Sequence, residues 1–187
     1  MDLARPRRAG CAALAVLPLA LAGATSAHAA PAGVVTANGF GTSYIGSYKV
    51  LGGTQAQAIR SYGRPTSRVR RRDVCTARWT RIGLTIVFYT VSRVSPCLVT
   101  RNLRIAPRVA VATVSAARRW RTIRGLTVGQ PFSELQRRYP ESRRWFGTRW
   151  GLVRATRRPF SGLGVWWLSA RVQRGRVTQL QVDGGRI

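Results

Sequence analysis

The sequence predicts an α+β protein of two related halves, each a short helix packed on an antiparallel sheet. Two segments, 49–65 and 126–140, share a glycine, a short amphipathic stretch and a tyrosine beside a helix breaker. Apolar residues that alternate with polar ones follow each segment, and this period of two is typical of strands with one buried face. We therefore divide the chain into a first half over 45–117 and a second half over 118–187.

Each predicted helix has local signals at its start. Thr54 can cap the first helix, because its side-chain oxygen can accept a backbone N–H. Pro131 suits the first turn of the second helix, where no backbone donor is required. Glu134 in that turn can pair with Arg138 one turn further on. Residues at helical spacing form an apolar stripe that can pack on a sheet: Phe132, Leu135 and Tyr139.

Six segments predict strands, at 75–79, 84–89, 109–114, 151–155, 165–172 and 176–182. The last two form a hairpin, and period two places the following residues on one face of each strand: Trp166, Leu168, Ala170 and Val172, then Thr178, Leu180 and Val182. Residues 30–44 are small and aperiodic, which predicts a flexible lead-in. The arginine-rich stretches 118–124 and 143–149 are predicted to be junctions between elements.

Residues 1–29 have the features of a cleavable secretory signal peptide. Arginines near the start precede a short apolar run over 11–23, and small residues then occupy positions 27 and 29. This order predicts cleavage between Ala29 and Ala30 and a secreted, extracellular protein. An uncleaved anchor is the alternative, but a membrane-spanning helix needs about 20 apolar residues, and this run is shorter. No later segment is long and apolar enough to span a membrane.

Cleavage would remove Cys11 and leave Cys75 and Cys97. In an oxidising compartment, two remaining cysteines indicate a disulfide between them. Such a cross-link is expected to stabilise the fold by about 3 kcal/mol. Two buried free thiols are the alternative interpretation.

The chain carries 32 lysine and arginine residues against 5 acidic residues, a net charge of +27. All but one of these cations are arginine, which also fits a high-GC coding bias, and a solvated surface without a dedicated partner is the alternative interpretation. Arginine binds phosphate and carboxylate oxygens with a two-pronged fork, and aromatic rings beside it can stack on bases or sugars. Three clusters are candidate polyanion-binding sites: Arg68, Arg70, Arg71 and Arg72; Arg118, Arg119 and Arg121 beside Trp120; and Arg143 and Arg144 beside the contact aromatics Trp145 and Trp150.

The predicted exported chain has no histidine and no spare thiol, which argues against the common nucleophilic and metal chemistries. We predict no catalytic residues, no metal site and no cofactor, but a non-catalytic protein that binds polyanions at the cell envelope, without a specific nucleic-acid partner. A protein-recognition or inhibitor module is the first alternative, and it requires an exposed apolar patch around Trp145 or Trp150. A remote alternative is a lyase of acidic polysaccharides whose base is a tyrosine: Tyr62, Tyr89 or Tyr139.

The order of these segments resembles uncharacterised exported proteins of high-GC bacteria. The resemblance extends over about residues 45–183 and rests on glycines, cysteines and helix ends, in particular Gly53-Thr54, Tyr62-Gly63-Arg64-Pro65, Cys75, Gly125-Leu126-Thr127-Val128-Gly129 and Tyr139-Pro140. More remotely, the two helix-plus-sheet halves resemble the architecture of the beta-lactamase inhibitory proteins and of SmpA/OmlA-type lipoproteins. That likeness implies helices on one face of an antiparallel sheet and a binding role. Unlike the lipoproteins, this chain has no cysteine directly after its apolar run.

Overall fold

The computed structural model describes residues 33–37, 43–90, 93–116, 119–154 and 166–184. The predicted signal peptide, with its cleavage between Ala29 and Ala30, lies outside the described residues, and so does Arg118. Two α-helices are present within these ranges, α1 (Gln55–Tyr62) and α2 (Phe132–Arg138), together with a short 3-10 helix at Thr80–Ile82.

Twelve strands in the described residues form two sheets. The strands are β1 (Gly33–Ala37), β2 (Ser43–Ile45), β3 (Tyr48–Lys49), β4 (Ser67–Arg71), β5 (Val74–Trp79), β6 (Leu84–Tyr89), β7 (Arg108–Val114), β8 (Trp120–Thr122), β9 (Arg143–Phe146), β10 (Arg149–Arg154), β11 (Trp166–Gln173) and β12 (Arg176–Asp183). The larger sheet has the order β4-β5-β6-β7-β12-β11-β10-β9 and the smaller one the order β3-β2-β1-β8. Every pairing is antiparallel except that of β1 with β8. The predicted α+β class is confirmed.

Helix α1 begins as the sequence predicts. The Thr54 side chain accepts a hydrogen bond from the backbone N–H of Gln57, and the Gln57 side chain accepts one from the backbone N–H of Thr54 at 2.8 Å. This reciprocal pair satisfies two backbone donors that a helix start leaves without an intrahelical partner. The helix ends at Gly63, whose φ of 77° lies in the region that favours glycine.

Helix α2 begins one residue later than its proline suggests. Pro131 has an extended ψ of 158°, so it precedes the helix as its cap instead of lying in the first turn. The predicted pairing of Glu134 with Arg138 is confirmed at 3.0 Å, and Arg137 adds a second contact at 2.7 Å. These guanidinium groups lower the pKa of Glu134, with the hydrogen bond from Arg137 as the largest cause.

The prediction of a flexible lead-in is wrong for residues 33–37 and 43–44, which belong to β1 and β2. Val35 and Ile45 are fully buried, and they belong to the same apolar core as Leu180 and Val182 of the larger sheet. A strand this short lacks a clear period in the sequence. Its conformation is set by pairing with β2 and with the distant β8.

The β11–β12 hairpin is confirmed, but its register contains a bulge. Arg174 and Gly175 have φ values of 49° and 69° at its two-residue turn, and such positive values are typical of tight hairpins. The register shifts between Arg171 and Val172, so that Val172 faces Val177. Val177 is buried with Leu180, whereas Thr178 is only partly buried. The prediction that Thr178 shares a face with Leu180 and Val182 is therefore wrong, because Thr178 is the extra residue of the bulge and changes the alternation.

The predicted disulfide between Cys75 and Cys97 is present, with a Cα–Cα distance of 5.1 Å. It connects β5, where Cys75 is buried, to the long connection between β6 and β7. The disulfide therefore ties a segment without regular secondary structure to the core of the larger sheet.

Candidate functional site

The β9–β10 hairpin forms one edge of the larger sheet and displays aromatic and cationic side chains together. All four residues of β9 are exposed, with Phe146 exposed by 78% and Trp145 by 41%. Large exposed aromatics of this kind commonly mark interaction sites. The prediction that 143–149 is a junction is therefore wrong, since these residues form two paired strands around a turn at Gly147.

The edge strand β9 contains a bulge. Arg149 pairs with Phe146 and Trp150 pairs with Arg144, so Trp145 is an extra residue on its strand. Bulges twist a strand and discourage further strand pairing at an edge. The hairpin is consequently better suited to presenting side chains than to extending the sheet.

A groove of about 180 Å³ lies beside the hairpin, lined by Phe132, Arg144, Gly147, Thr148, Trp150, Val172 and Gly175. The rings of Phe132 and Trp150 are in contact, with centroids 4.5 Å apart. Trp150 is thus partly buried against α2, while Trp145 is the more exposed of the two predicted contact aromatics. The groove combines an aromatic wall with the guanidinium group of Arg144.

Four arginines around this hairpin are positioned by neutral oxygen atoms. Arg144 donates from Nε to the carbonyl of Gly147 at 2.7 Å, and Arg171 donates to the hydroxyl of Thr148 at 3.3 Å. Arg149 donates to the side-chain amide oxygen of Gln181 at 2.7 Å, and Arg176 donates to a backbone carbonyl at 3.0 Å. In the part of the chain that the structure describes, none of these four forms an ion pair. These hydrogen bonds orient the guanidinium groups without a direct ion pair, although Arg149 also interacts electrostatically with Asp183 through Gln181.

The predicted arginine cluster at residues 68–72 is divided by strand geometry. Arg68 and Arg70 face Ala77 and Cys75 across the β4–β5 pair, whereas Arg71 faces Val74 and extends from the other face. Arg72 lies in the turn that follows β4, with a φ of 46°. These four side chains are exposed, but the structure does not place them on a single surface.

The predicted cluster around Trp120 loses its aromatic partner. Trp120 is buried, and its indole Nε1–H donates to the carbonyl of Ile82 at 2.7 Å. Arg119 donates to the carbonyl of Arg81 at 3.0 Å, and Arg121 is exposed on β8. The expectation that Trp120 could stack on a ligand is wrong, because period two directs it into the core between two outward arginines.

Two of the three tyrosines considered for a lyase are structural. The hydroxyl of Tyr62 donates to the carbonyl of Ile45, and Tyr139 is fully buried. Burial raises the pKa of both phenols, which disfavours the phenolate form that a catalytic base would use. Within the described ranges, no three side chains of the metal-ligating type come together, and no helix has the length and apolarity needed to cross a membrane.

Asp183 is a feature that the sequence analysis missed. Its Oδ1 accepts a hydrogen bond from Gln181, which in turn accepts one from Arg149, but its buried Oδ2 has no hydrogen-bond partner among the described residues. Burial raises the pKa of Asp183 to about 6, against the lowering effects of Gln181 and Arg149. No sequence signal distinguishes this carboxyl, because its burial comes from neighbouring strands.

The raised pKa of Asp183 predicts a pH-dependent stability. Between the unfolded value of 3.8 and about 6, the folded protein binds more protons than the unfolded chain. The free energy of unfolding should therefore fall, by about 3 kcal/mol, as the pH rises from about 4 to 6, and stay level above that. Urea unfolding between pH 4 and 8 measures this fall, which Asp183→Asn should abolish and Asp73→Asn, at an exposed turn, should preserve. An undiminished fall in Asp183→Asn would contradict the assignment.

The fold and the site together define a class: an α+β protein with a mostly antiparallel sheet, whose edge hairpin carries exposed rings and arginines that form no ion pair with any described residue. Comparisons with models of protein families, with curated proteins and with solved structures found no match. The likeness to exported proteins of high-GC bacteria, and the remoter ones, stay predictions. A function for this protein is therefore inferred from the geometry of the hairpin.

Proposed function

We propose that this is a secreted, non-catalytic protein that binds polyanions at the cell envelope through its β9–β10 hairpin. The observation that carries the proposal is Arg144, which the carbonyl of Gly147 holds in the groove beside the rings of Phe132 and Trp150. A guanidinium group that is already oriented loses little conformational entropy when it binds an oxyanion. The Cys75–Cys97 disulfide supports the secreted location, since such bonds persist in oxidising compartments.

We further propose that the chain consists of two related halves. Helix α1 precedes β4–β7 and helix α2 precedes β9–β12, and each group of four strands occupies one side of the larger sheet. In the sheet order, the second group runs in the reverse direction, so β4 and β9 are the two edges. This arrangement supports an origin by duplication in which only the second edge acquired the aromatic residues of the binding hairpin.

The proposed ligand is a flexible polymer with regularly spaced anionic groups. Arg144 at the groove would bind one phosphate or carboxylate, and the rings of Phe132 and Trp150 would contact the carbon skeleton between charged groups. The exposed Phe146 would cover a neighbouring unit. Wall polymers with phosphate linkages and acidic glycans have this combination of charge and apolar surface.

Binding to long-chain polyphosphate is the test, and polygalacturonate serves as the carboxylate probe. The affinity of the protein should fall steeply with salt, because each neutralised anionic group releases a bound counterion. Arg143→Gln/Arg144→Gln should weaken binding about ten-fold and lower the salt slope by about 2. Isothermal titration at several salt concentrations measures both quantities.

Arg68→Gln/Arg70→Gln is the matched control, since it removes two exposed arginines from the opposite edge of the same sheet. It should change the affinity by less than about two-fold if the hairpin is the site. Equal losses in the two double variants would mean that net charge, and not the hairpin, attracts the polymer. An affinity that is independent of salt would remove the proposal altogether.

A protein-recognition module is the second candidate, favoured by the exposed rings of Trp145 and Phe146. Protein interfaces often have aromatic residues at their centre. The same titrations separate the candidates, because a protein partner would depend on these rings far more than on Arg143 and Arg144. A Trp145→Ala/Phe146→Ala variant that retains full affinity for polyphosphate while losing a protein partner would favour this module.

A further inference from the structure

The long connection between β6 and β7 exposes several aliphatic side chains. In the larger sheet, β12 and β11 lie between β7 and the β9–β10 hairpin. Within residues 99–105, here called the Leu103 loop, three aliphatic side chains are exposed: Val99, Leu103 and Ile105. Leu103 is the most prominent, with 54% of its surface exposed. Arginines alternate with these residues and are exposed as well: Arg101 and Arg104 within the loop, and Arg93 shortly before it. Aliphatic tips beside cations are typical of segments that enter the interface of an anionic membrane.

The Leu103 loop is held in place by the side chain of Arg108 and by the disulfide. Arg108 donates from Nη2 to the carbonyl of Leu103 at 2.6 Å and from Nη1 to the carbonyl of Gly52 at 2.8 Å. The Cys75–Cys97 disulfide fixes the chain shortly before the loop. These contacts present the aliphatic side chains without requiring the loop to become ordered on binding, which lowers the entropic cost of association.

The backbone of the loop also pairs internally. Asn102 accepts hydrogen bonds at its side-chain oxygen from the N–H of Arg104, and at its carbonyl from the N–H groups of Ile105 and Ala106. The N–H of Asn102 itself donates to the hydroxyl of Thr100 at 3.1 Å. Donors satisfied in this way lose less free energy when water is replaced by the lipid interface. The turn is thus preorganised for a region with little water.

We propose that the Leu103 loop docks the protein on an anionic lipid bilayer by inserting Leu103, Val99 and Ile105 at the level of the headgroups, with Arg101 and Arg104 on the lipid phosphates. Charge complementarity favours this partner. Along the chain, the exposed Arg101 and Arg104 alternate with the aliphatic residues that would enter the membrane, and lipid phosphates are anionic. The aliphatic side chains are also better suited to acyl chains than the aromatic residues typical of protein interfaces. The proposal uses a different surface from the hairpin and does not require the proposed function.

Co-sedimentation of the protein with vesicles of phosphatidylglycerol and phosphatidylcholine tests the docking. Leu103→Asp should weaken binding to phosphatidylglycerol vesicles at least ten-fold, and Arg104→Gln about five-fold. Leu103→Phe should bind as tightly as the original protein, because it retains an apolar tip. Circular dichroism checks that each variant is folded, and Arg104→Gln keeps the test open if Leu103→Asp is not.

The chain offers a closely matched control for the added negative charge. Val99 and Val69 have nearly the same exposure, 42% and 43%, but Val69 lies in β4, outside the loop. Val99→Asp should weaken vesicle binding at least five times more than Val69→Asp, since both alter the net charge equally and only one removes an inserting side chain. Equal losses would overturn the proposal, as would a failure of the original protein to bind phosphatidylglycerol vesicles.

Soluble probes distinguish a membrane from phosphate alone. Glycerophosphoglycerol at the same phosphate concentration should not displace the protein from vesicles, and its effective competition would overturn docking by insertion. Leu103→Asp, in the loop, should retain its affinity for long-chain polyphosphate. Conversely, Arg143→Gln/Arg144→Gln, in the hairpin, should retain vesicle binding within about two-fold. Failure of the loop proposal and failure of the hairpin proposal therefore give different results.

Discussion

Replacing Trp120 by alanine is expected to lower the free energy of unfolding by about 4 kcal/mol, a typical cost for removing a large buried aromatic side chain. Trp120 lies in β8 of the smaller sheet, and its Nε1–H donates to the carbonyl of Ile82 beside the larger sheet. Its ring also has an edge contact with Tyr62, with centroids 6.4 Å apart. The substitution would therefore leave a cavity and an unpaired carbonyl between the two sheets. Urea unfolding followed by circular dichroism measures the loss.

Gly33 provides a sharp check on this role. A Cβ at Gly33 would lie 2.1 Å from a ring carbon of Trp120, so Gly33→Ala should cost about 2 kcal/mol in the original protein. In the Trp120→Ala background the ring is gone, and the same substitution should cost almost nothing. A double-mutant cycle therefore expects strong coupling between these two positions.

The exposed Trp145 is the matched control for Trp120. Trp145→Ala should change the free energy of unfolding by less than about 0.5 kcal/mol, because little packing is lost at an exposed site. If Trp120→Ala were as mild as Trp145→Ala, the packing of the smaller sheet on the larger one would be wrong. Trp120 would then again be a candidate for a ligand contact.

Loss of the Cys75–Cys97 disulfide is expected to cost about 3 kcal/mol. The bond closes a loop with a sequence separation of 22 residues, and the chain-entropy relation assigns about this value to a loop of that length. Cys75→Ala/Cys97→Ala is the suitable variant, since alanine avoids placing a hydroxyl at the buried position 75. Urea unfolding of this variant should show the full loss.

Reduction of the original protein is the independent measurement of the same quantity. Dithiothreitol should lower the stability of the original protein by a similar amount and leave the double alanine variant unchanged. Protein recovered from culture medium should begin at Ala30 and contain no free thiol, because the proposed export precedes oxidation. Free thiols in that sample, or a loss below about 1 kcal/mol on reduction, would contradict a structural role for the bond.

The disulfide also connects stability to the proposed membrane docking. Cys97 lies shortly before the Leu103 loop. Loss of the disulfide would therefore release one of the two attachments of that loop. The attachment through Arg108 would remain. Vesicle binding by the double alanine variant should consequently weaken less than that of Leu103→Asp.

Local signals in the sequence determined much of the secondary structure. The predicted strand at 84–89 coincides with β6, the Thr54 cap begins α1, and the pairing of Glu134 with Arg138 is present. These features depend on residues a few positions apart, whose interactions are set by the helical and strand periods themselves. The two cysteines of the predicted exported chain left one possible pairing, which the structure contains.

Tertiary structure decided which residues share a surface. Trp120 was an arginine-flanked aromatic in the sequence, and only the pairing of β8 with the distant β1 places it in the core. The run from Arg68 to Arg71 divides between two faces once β4 is a strand. Burial of Asp183 likewise depends on strands from other parts of the chain.

The sequence by itself therefore determined both helices, the strands with clear alternation and the charge of this protein, and it predicted the cross-link, because these features depend on short-range periodicity and composition. Only the tertiary structure decided that Arg144 is held by a neutral oxygen atom and lies in a groove with Phe132 and Trp150. The physical reason is that burial and electrostatic environment are sums over neighbours that are far apart in the sequence. A cluster of charges along the chain becomes a site only when strand pairing directs its side chains to one surface.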